Sequence, residues 1–166
     1  RVANTDIAAA VDSLRDATGD LRGRRVAVVG AGGKMGPSLT AMLQRAAEIV
    51  GDGRRVHAIS RWESASGARD AARLSALGVH VVRADLLDPG TYAALPDAPN
   101  VVYMAGQKFG TRDAPSLTWM TNTVVPAYAA RRYREARIVA FSTGQSVSTG
   151  SLPSRNPPGW TPRCRG

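Results

Sequence analysis

Cysteine is almost missing from this chain: among 166 residues only Cys164 carries a thiol. One cysteine forms no internal disulfide, which excludes a disulfide-stapled secreted scaffold. Lying in a polar tail, it reads as a stray thiol rather than a site. Lysine is nearly missing too. Lys34 and Lys108 stand alone against a formal net charge of +9, so the positive charge is almost all arginine. The arginines are scattered through helices and turns instead of forming a stripe. Together with abundant alanine this reads as a coding bias, and no nucleic-acid partner is expected. No apolar run approaches the roughly 20 residues of a membrane span, and no signal-peptide pattern opens the chain. No membrane association is expected, and the cytoplasm is the default compartment. His57 and His80 both fall inside strand-like runs without a second ligand at metal spacing, so they read as packed or edge histidines and no metal is expected.

What is present is a glycine turn in the right surroundings. Arg24 to Gly36 reads RRVAVVGAGGKMG. Val26, Val28 and Val29 have strand character, and the glycine cluster is followed directly by an amphipathic segment. Strand, tight turn and helix in that order present backbone N–H groups to a pyrophosphate. Gly30, Gly33 and Gly36 have the spacing G-x-x-G-x-x-G. Gly30 is expected to allow the turn, Gly33 to let backbone approach a phosphate, and Gly36 to let the helix pack on the sheet. A P-loop is excluded, because Lys34 is followed by Met35 rather than Ser or Thr and Val28 stands where the first glycine belongs.

At this length the chain holds one core, and an apolar share of 43% suits a globular domain. The periodicity predicts a helix over 6–17, then strands over 24–30, 54–60, 79–84, 100–105 and 136–142. Helices are predicted between them over 34–50, 64–77, 88–95 and 114–133. The first of these carries Met35, Leu39, Met42, Leu43, Ala46, Ala47 and Val50 on one face. The last carries Leu117, Met120, Val124, Tyr128 and Arg131. Strands alternating with helices predict an α/β fold, a Rossmann-like doubly wound parallel sheet of about five strands in the order 3-2-1-4-5. The expected organisation is an N-terminal helix and loop over 1–23, an NAD(P)-binding domain over 24–144, and a disordered tail over 145–166, where four prolines and three arginines show no periodicity.

The strand ends hold the candidate site. An acidic residue after the second strand would suit NAD; here Ser60-Arg61 stands there, so Arg61 is read as gripping a 2′-phosphate with Ser60 assisting, against the alternative of a solvated loop arginine. Asp85 either accepts a hydrogen bond from an adenine amino group or caps the next turn. Ala105 and Gly106 close the fourth strand where a dinucleotide can lie near. Lys108 reads as a solvated loop residue. Ser142 and Thr143 end the fifth strand, where a hydroxyl can bond a substrate carbonyl or alcohol; no G-x-S-x-G elbow surrounds Ser142, so a hydrolase nucleophile is not expected.

With those residues placed, the chain resembles the NAD(P)-dependent epimerase/dehydratase family of the extended short-chain dehydrogenase/reductase superfamily. The resemblance is carried by Gly30 to Gly36, Ala84-Asp85-Leu86, Tyr103 to Gly106, Asn122, and Phe141-Ser142-Thr143-Gly144, in the family's order across residues 24–144. It implies a nicotinamide cofactor, NADP or alternatively NAD, and hydride transfer at a carbinol carbon of a small-molecule substrate, often a nucleotide sugar. By position, Gly30, Gly32, Gly33, Lys34, Met35 and Gly36 would bind pyrophosphate, and Ser60 and Arg61 the ribose end. Asp85 and Leu86 would meet the adenine, and Ala105 and Gly106 the cofactor's middle. Ser142 or Thr143 would polarise the substrate oxygen, with Asn122 supporting. The family's acid/base tyrosine, in a Tyr-x-x-x-Lys motif after the fifth strand, has no counterpart here. The expectation is therefore a truncated, inactive cofactor-binding portion, homodimeric when complete and prone to self-association around Ile138 and Phe141. The alternative is a non-catalytic NAD(P)-binding sensor or regulatory module.

Overall fold

The computed structural model describes residues 24–107 and 114–141. The helix expected over 6–17, the tail over 145–166, Lys108, Ser142, Thr143 and Gly144 lie outside the described residues.

Five valine- and alanine-rich segments form the strands β1 (Arg25–Val29), β2 (Arg55–Ser60), β3 (His80–Arg83), β4 (Asn100–Tyr103) and β5 (Arg137–Ala140). They make one sheet in the order β3-β2-β1-β4-β5. Every adjacent pair is parallel, with Val28 opposite Ala58 on one side and Val102 on the other. The expected fold class and strand order are those observed; each strand is one to three residues shorter than its periodicity.

Parallel strands need crossovers, and these supply the two covering layers. α1 (Gly36–Val50) follows β1, and α2 (Ala65–Ala76) follows β2. A 3₁₀ helix (Pro89–Ala94) links β3 to β4. Between β4 and β5 run α3 (Pro115–Trp119), a π turn (Met120–Val124) and α4 (Val125–Arg132). Successive side chains of a strand face opposite ways, so the sheet has two cores. Val26, Val28, Val56, Ala58 and Val102 meet Ala41, Leu43, Ala71 and Leu74 on one face. Ala27, Val29, Ile59, Val101 and Tyr103 meet Tyr92, Leu95, Val125, Ala129 and Tyr133 on the other. Each fully buried valine contributes about 1.5–3 kcal/mol of transfer free energy.

Two helix faces differ from their expected ones. On α1 the sheet-facing residues are Gly36, Pro37, Thr40, Ala41, Leu43 and Ala47, whereas Met35, Met42 and Val50 are exposed. Small residues let the helix lie close. Thr40 is buried because its hydroxyl donates to the Gly36 carbonyl at 2.7 Å, satisfying a group that counting apolar residues treats as surface. Below β5, the buried stripe is Val125, Ala129 and Tyr133 rather than Val124, Tyr128 and Arg131. The π turn inserts one extra residue into the helix and moves the buried stripe on by one position. Ile138 and Phe141, at the edge strand, are 40% and 47% exposed.

Candidate functional site

The chain leaves β1 through Gly30, whose φ of +85° suits glycine. The N–H groups of Gly30 and Ala31 both donate to the Ile59 carbonyl, at 2.9 and 3.1 Å, which pins the turn to the end of β2. The glycines that follow differ in what they permit. A Cβ on Gly30 would stand 2.5 Å from the Ala105 nitrogen, and one on Gly32 would stand 2.6 Å from Ser60 Oγ. A Cβ on Gly36 would overlap the Ala31 carbonyl, so Gly36 lets the start of the helix lie against the turn. A Cβ on Gly33 would meet only the Gly30 oxygen, at 3.5 Å. Gly33 therefore faces free space that the protein does not fill. α1 begins directly beyond, with no side-chain cap on Met35 and no acidic residue in its first turn. Its positive end is available to an anion.

The carboxyl ends of the strands enclose a crevice of about 270 Å³. The β1 turn lends it Gly30, Gly32 and Gly33; β2 lends Ser60 and Arg61; beyond β3 come Asp85 and Leu86; beyond β4 come Ala105 and Gly106. Lys34 and Met35 do not line it and are exposed, while Gly36 is buried behind the turn. The crevice also takes in Met104, Gln107, Leu117, Thr121 and Val125, which the sequence reading did not assign to it. Leu117, Thr121 and Val125 recur every fourth residue along the segment that holds the π turn.

Arg61 is a little over half exposed, with Nη1 3.7 Å from Glu63 Oε2. Asp52, at the other end of β2, is committed to a bidentate pair with Arg54 at 2.8 and 3.0 Å through Nε. Asp85 Oδ1 accepts the Leu87 N–H at 3.0 Å, so it caps the turn after β3 while also lining the crevice. Asn122 sits within the π turn and outside the crevice lining. Its Oδ1 accepts the Gln107 N–H at 2.7 Å and its Nδ2 donates to the Gln107 carbonyl at 2.9 Å. That double contact ties the loop after β4 to the helix. Trp62, unremarked in the sequence, is 3% exposed and is the one non-glycine with positive φ, +58°, among the described residues.

Three tyrosines lie under the helix side of the sheet, and burial dominates their acidity. Desolvation pushes Tyr103 up to about 12 and raises Tyr92 further. Tyr133 is likewise pushed up to about 12, mainly by desolvation, against the opposing pull of Arg132. Tyr92 donates to the Leu86 carbonyl at 2.9 Å and Tyr133 to the Pro96 carbonyl at 3.2 Å. These phenols stay protonated at neutral pH, the wrong direction for a general base. Among the described residues no group of three His, Cys, Asp or Glu side chains is placed to hold a metal ion, and no helix is long and apolar enough to cross a membrane.

No family model and no curated sequence matches the chain. Solved structures do match in shape. The ADP-L-glycero-D-manno-heptose-6-epimerase of Helicobacter pylori superposes with a TM-score of 0.64 at 17% identity, over 86% of this chain and 46% of that one. The UDP-glucose-4-epimerase of Stenotrophomonas maltophila, solved with NAD and formylated UDP-arabinopyranose, gives 0.59 at 20% identity, over 74% of this chain and 38% of that one. The described part of the chain shares the fold of these epimerases. A short chain dehydrogenase of Burkholderia cenocepacia in complex with NADP is also similar in fold, with a TM-score of 0.57 at 22% identity over 78% of this chain and 59% of that one. The chain spans less than two thirds of the length of each of these epimerase-like structures.

Proposed function

We propose that the chain is the dinucleotide-binding portion of an epimerase/dehydratase-like oxidoreductase, with NADP as its cofactor. The observation that carries this reading is Gly33. Of the four glycines in the turn it is the one whose missing Cβ leaves space on the crevice side, while Gly30, Gly32 and Gly36 are glycines because the protein packs against them. A nicotinamide dinucleotide supplies hydride chemistry when bound. The chain's own residues do the holding. The uncapped start of α1 and the Gly32–Gly33 backbone meet the pyrophosphate. Ala105 and Gly106 leave room along β4, and Asn122 fixes that loop through Gln107. Arg61 meets the 2′-phosphate and Asp85 the adenine. Neighbours solved with NAD and with NADP support a nicotinamide dinucleotide in this fold.

The substrate in this reading is a sugar nucleotide or a similar alcohol or carbonyl compound, its oxygen polarised by Ser142 or Thr143. A second reading is a non-catalytic binding or sensor module. It is favoured by the raised pKa values of Tyr103 and Tyr133, which leave no ready proton acceptor among those phenols. Both readings require dinucleotide binding.

Calorimetric titration of NADP and NAD into the chain tests the cofactor assignment. A charge-assisted contact to phosphate is worth about 1.5–3 kcal/mol, so NADP is expected to bind roughly tenfold to a hundredfold more tightly than NAD. Arg61→Ala should erase most of that preference. Equal affinities in the unmodified chain would exclude the 2′-phosphate role. Turnover against alcohols and nucleotide sugars that depends on Ser142 would separate an enzyme from a binding module.

A further inference from the structure

Between β2 and α2 the backbone does something a bulky residue rarely does. Trp62 adopts φ +58°, in the left-handed region, while its indole is buried in the core beneath α1 and α2. Left-handed backbone at a residue with a large side chain persists only where the surroundings over-determine it. Here two bonds to β3 do so. The indole Nε1–H donates to the Val82 carbonyl at 3.2 Å, and Arg83 Nη1 donates to the Trp62 carbonyl at 3.4 Å. Gly67 closes the other side, since a Cβ there would stand 3.4 Å from the Trp62 Cα. The ring also reaches the glycine turn: it lies 3.6 Å from the position of a Cβ on Gly32.

Arg61 is the residue immediately before this anchor. Among the described residues its own side chain is held by the surface pair with Glu63 alone, at 3.7 Å and with both groups more than half exposed. Such a pair holds a long side chain weakly. The backbone at residue 62, by contrast, is fixed by side-chain and main-chain bonds to the neighbouring strand. We infer that Trp62 is the positioning residue for Arg61: its left-handed, doubly bonded conformation aims the guanidinium at the mouth of the crevice and so sets selectivity for a nucleotide bearing a 2′-phosphate. This rests on the reading of Arg61 given above. The ordering entropy of the Arg61 segment is met in the free protein rather than on binding, which concentrates the gain on the ligand that Arg61 contacts.

The test uses 2′,5′-ADP and 5′-AMP as probes, titrated into the unmodified chain, Trp62→Phe, Arg83→Met and Arg61→Ala. Trp62→Phe keeps the aromatic packing and removes the donor to Val82. It should weaken 2′,5′-ADP by roughly threefold to tenfold while leaving 5′-AMP affinity unchanged. Arg83→Met, a surface change that removes the bond to the Trp62 carbonyl, should shift the same ratio in the same direction, and carries the test if Trp62→Phe does not fold. In an Arg61→Ala background neither substitution should alter the ratio further. A parallel loss for both probes, or an unchanged ratio in folded Trp62→Phe and Arg83→Met, would overturn the inference. Equal affinity of the unmodified chain for the two probes would instead overturn the 2′-phosphate reading of Arg61 on which it rests.

Discussion

His57 shows how a single half-buried side chain couples this fold to pH. Its ring stacks on that of His80 across the β2–β3 register, with centroids 5.1 Å apart, and its Nε2 is buried with no hydrogen-bond partner among the described residues. Desolvation first, then the charges of His80, Arg25 and Arg55, hold its imidazole below 6.5. Around neutral pH the folded chain keeps His57 uncharged. As the pH falls below 6.5, the unfolded chain takes up a proton there that the folded chain refuses. The stability that a neutral His57 supports is complete above that point and is lost progressively as the pH falls towards the folded-state value. Denaturation midpoints measured from about pH 8 down to about pH 5 should fall, and His57→Phe should flatten the decline. A slope unchanged in that variant would place the acid sensitivity elsewhere. The histidine's position inside a strand was legible from sequence. Its partner across the sheet was not, because the register that pairs His57 with His80 is set by the whole sheet.

Among the elements, the strands were the most legible. Valine-rich runs bounded by glycine, proline and polar turns left little freedom in where β1, β2 and β4 fall, and the sequence of crossovers then gave their order. Helix faces were read less well, for two local reasons. The Thr40 hydroxyl finds its partner inside α1, and the π turn at Met120–Val124 resets the helical period. Trp62 was missed because nothing local favours a left-handed tryptophan; bonds from β3 impose it. The π turn has a consequence of its own. It holds Asn122, whose two contacts to Gln107 tie the loop after β4 to the helix. Asn122 is exposed, so Asn122→Ala should leave the fold intact and lower stability by about 1 kcal/mol. Hydrogen exchange should quicken across residues 104–107 and stay slow in β1 and β2. Unchanged exchange there would mean that the loop is held by other contacts.

For the molecule as a whole, the candidate site is a property of the sheet rather than of any one motif. The strand order places the ends of β1, β2, β3 and β4 around one crevice, at the point where the chain switches from building outward through β2 to building outward through β4. Gly30, Gly33, Asp85 and Gly106 were legible as candidates because each follows a recognisable strand. The part played by Leu117 and Thr121 was not, since it depends on how the π turn sets the helix over the crevice. The central claim is that this crevice takes a dinucleotide across the glycine turn, and Gly33 permits a clean test of it. A Cβ there meets the described protein only at the Gly30 oxygen, 3.5 Å away, and otherwise has open space around it at a position that lines the crevice. Gly33→Val should therefore fold, as judged by an unchanged circular-dichroism spectrum and thermal midpoint. The decisive measurement is calorimetric titration of NADP into the unmodified chain and into folded Gly33→Val: the account predicts binding to the first and none to the second, and equal affinity for both would contradict it.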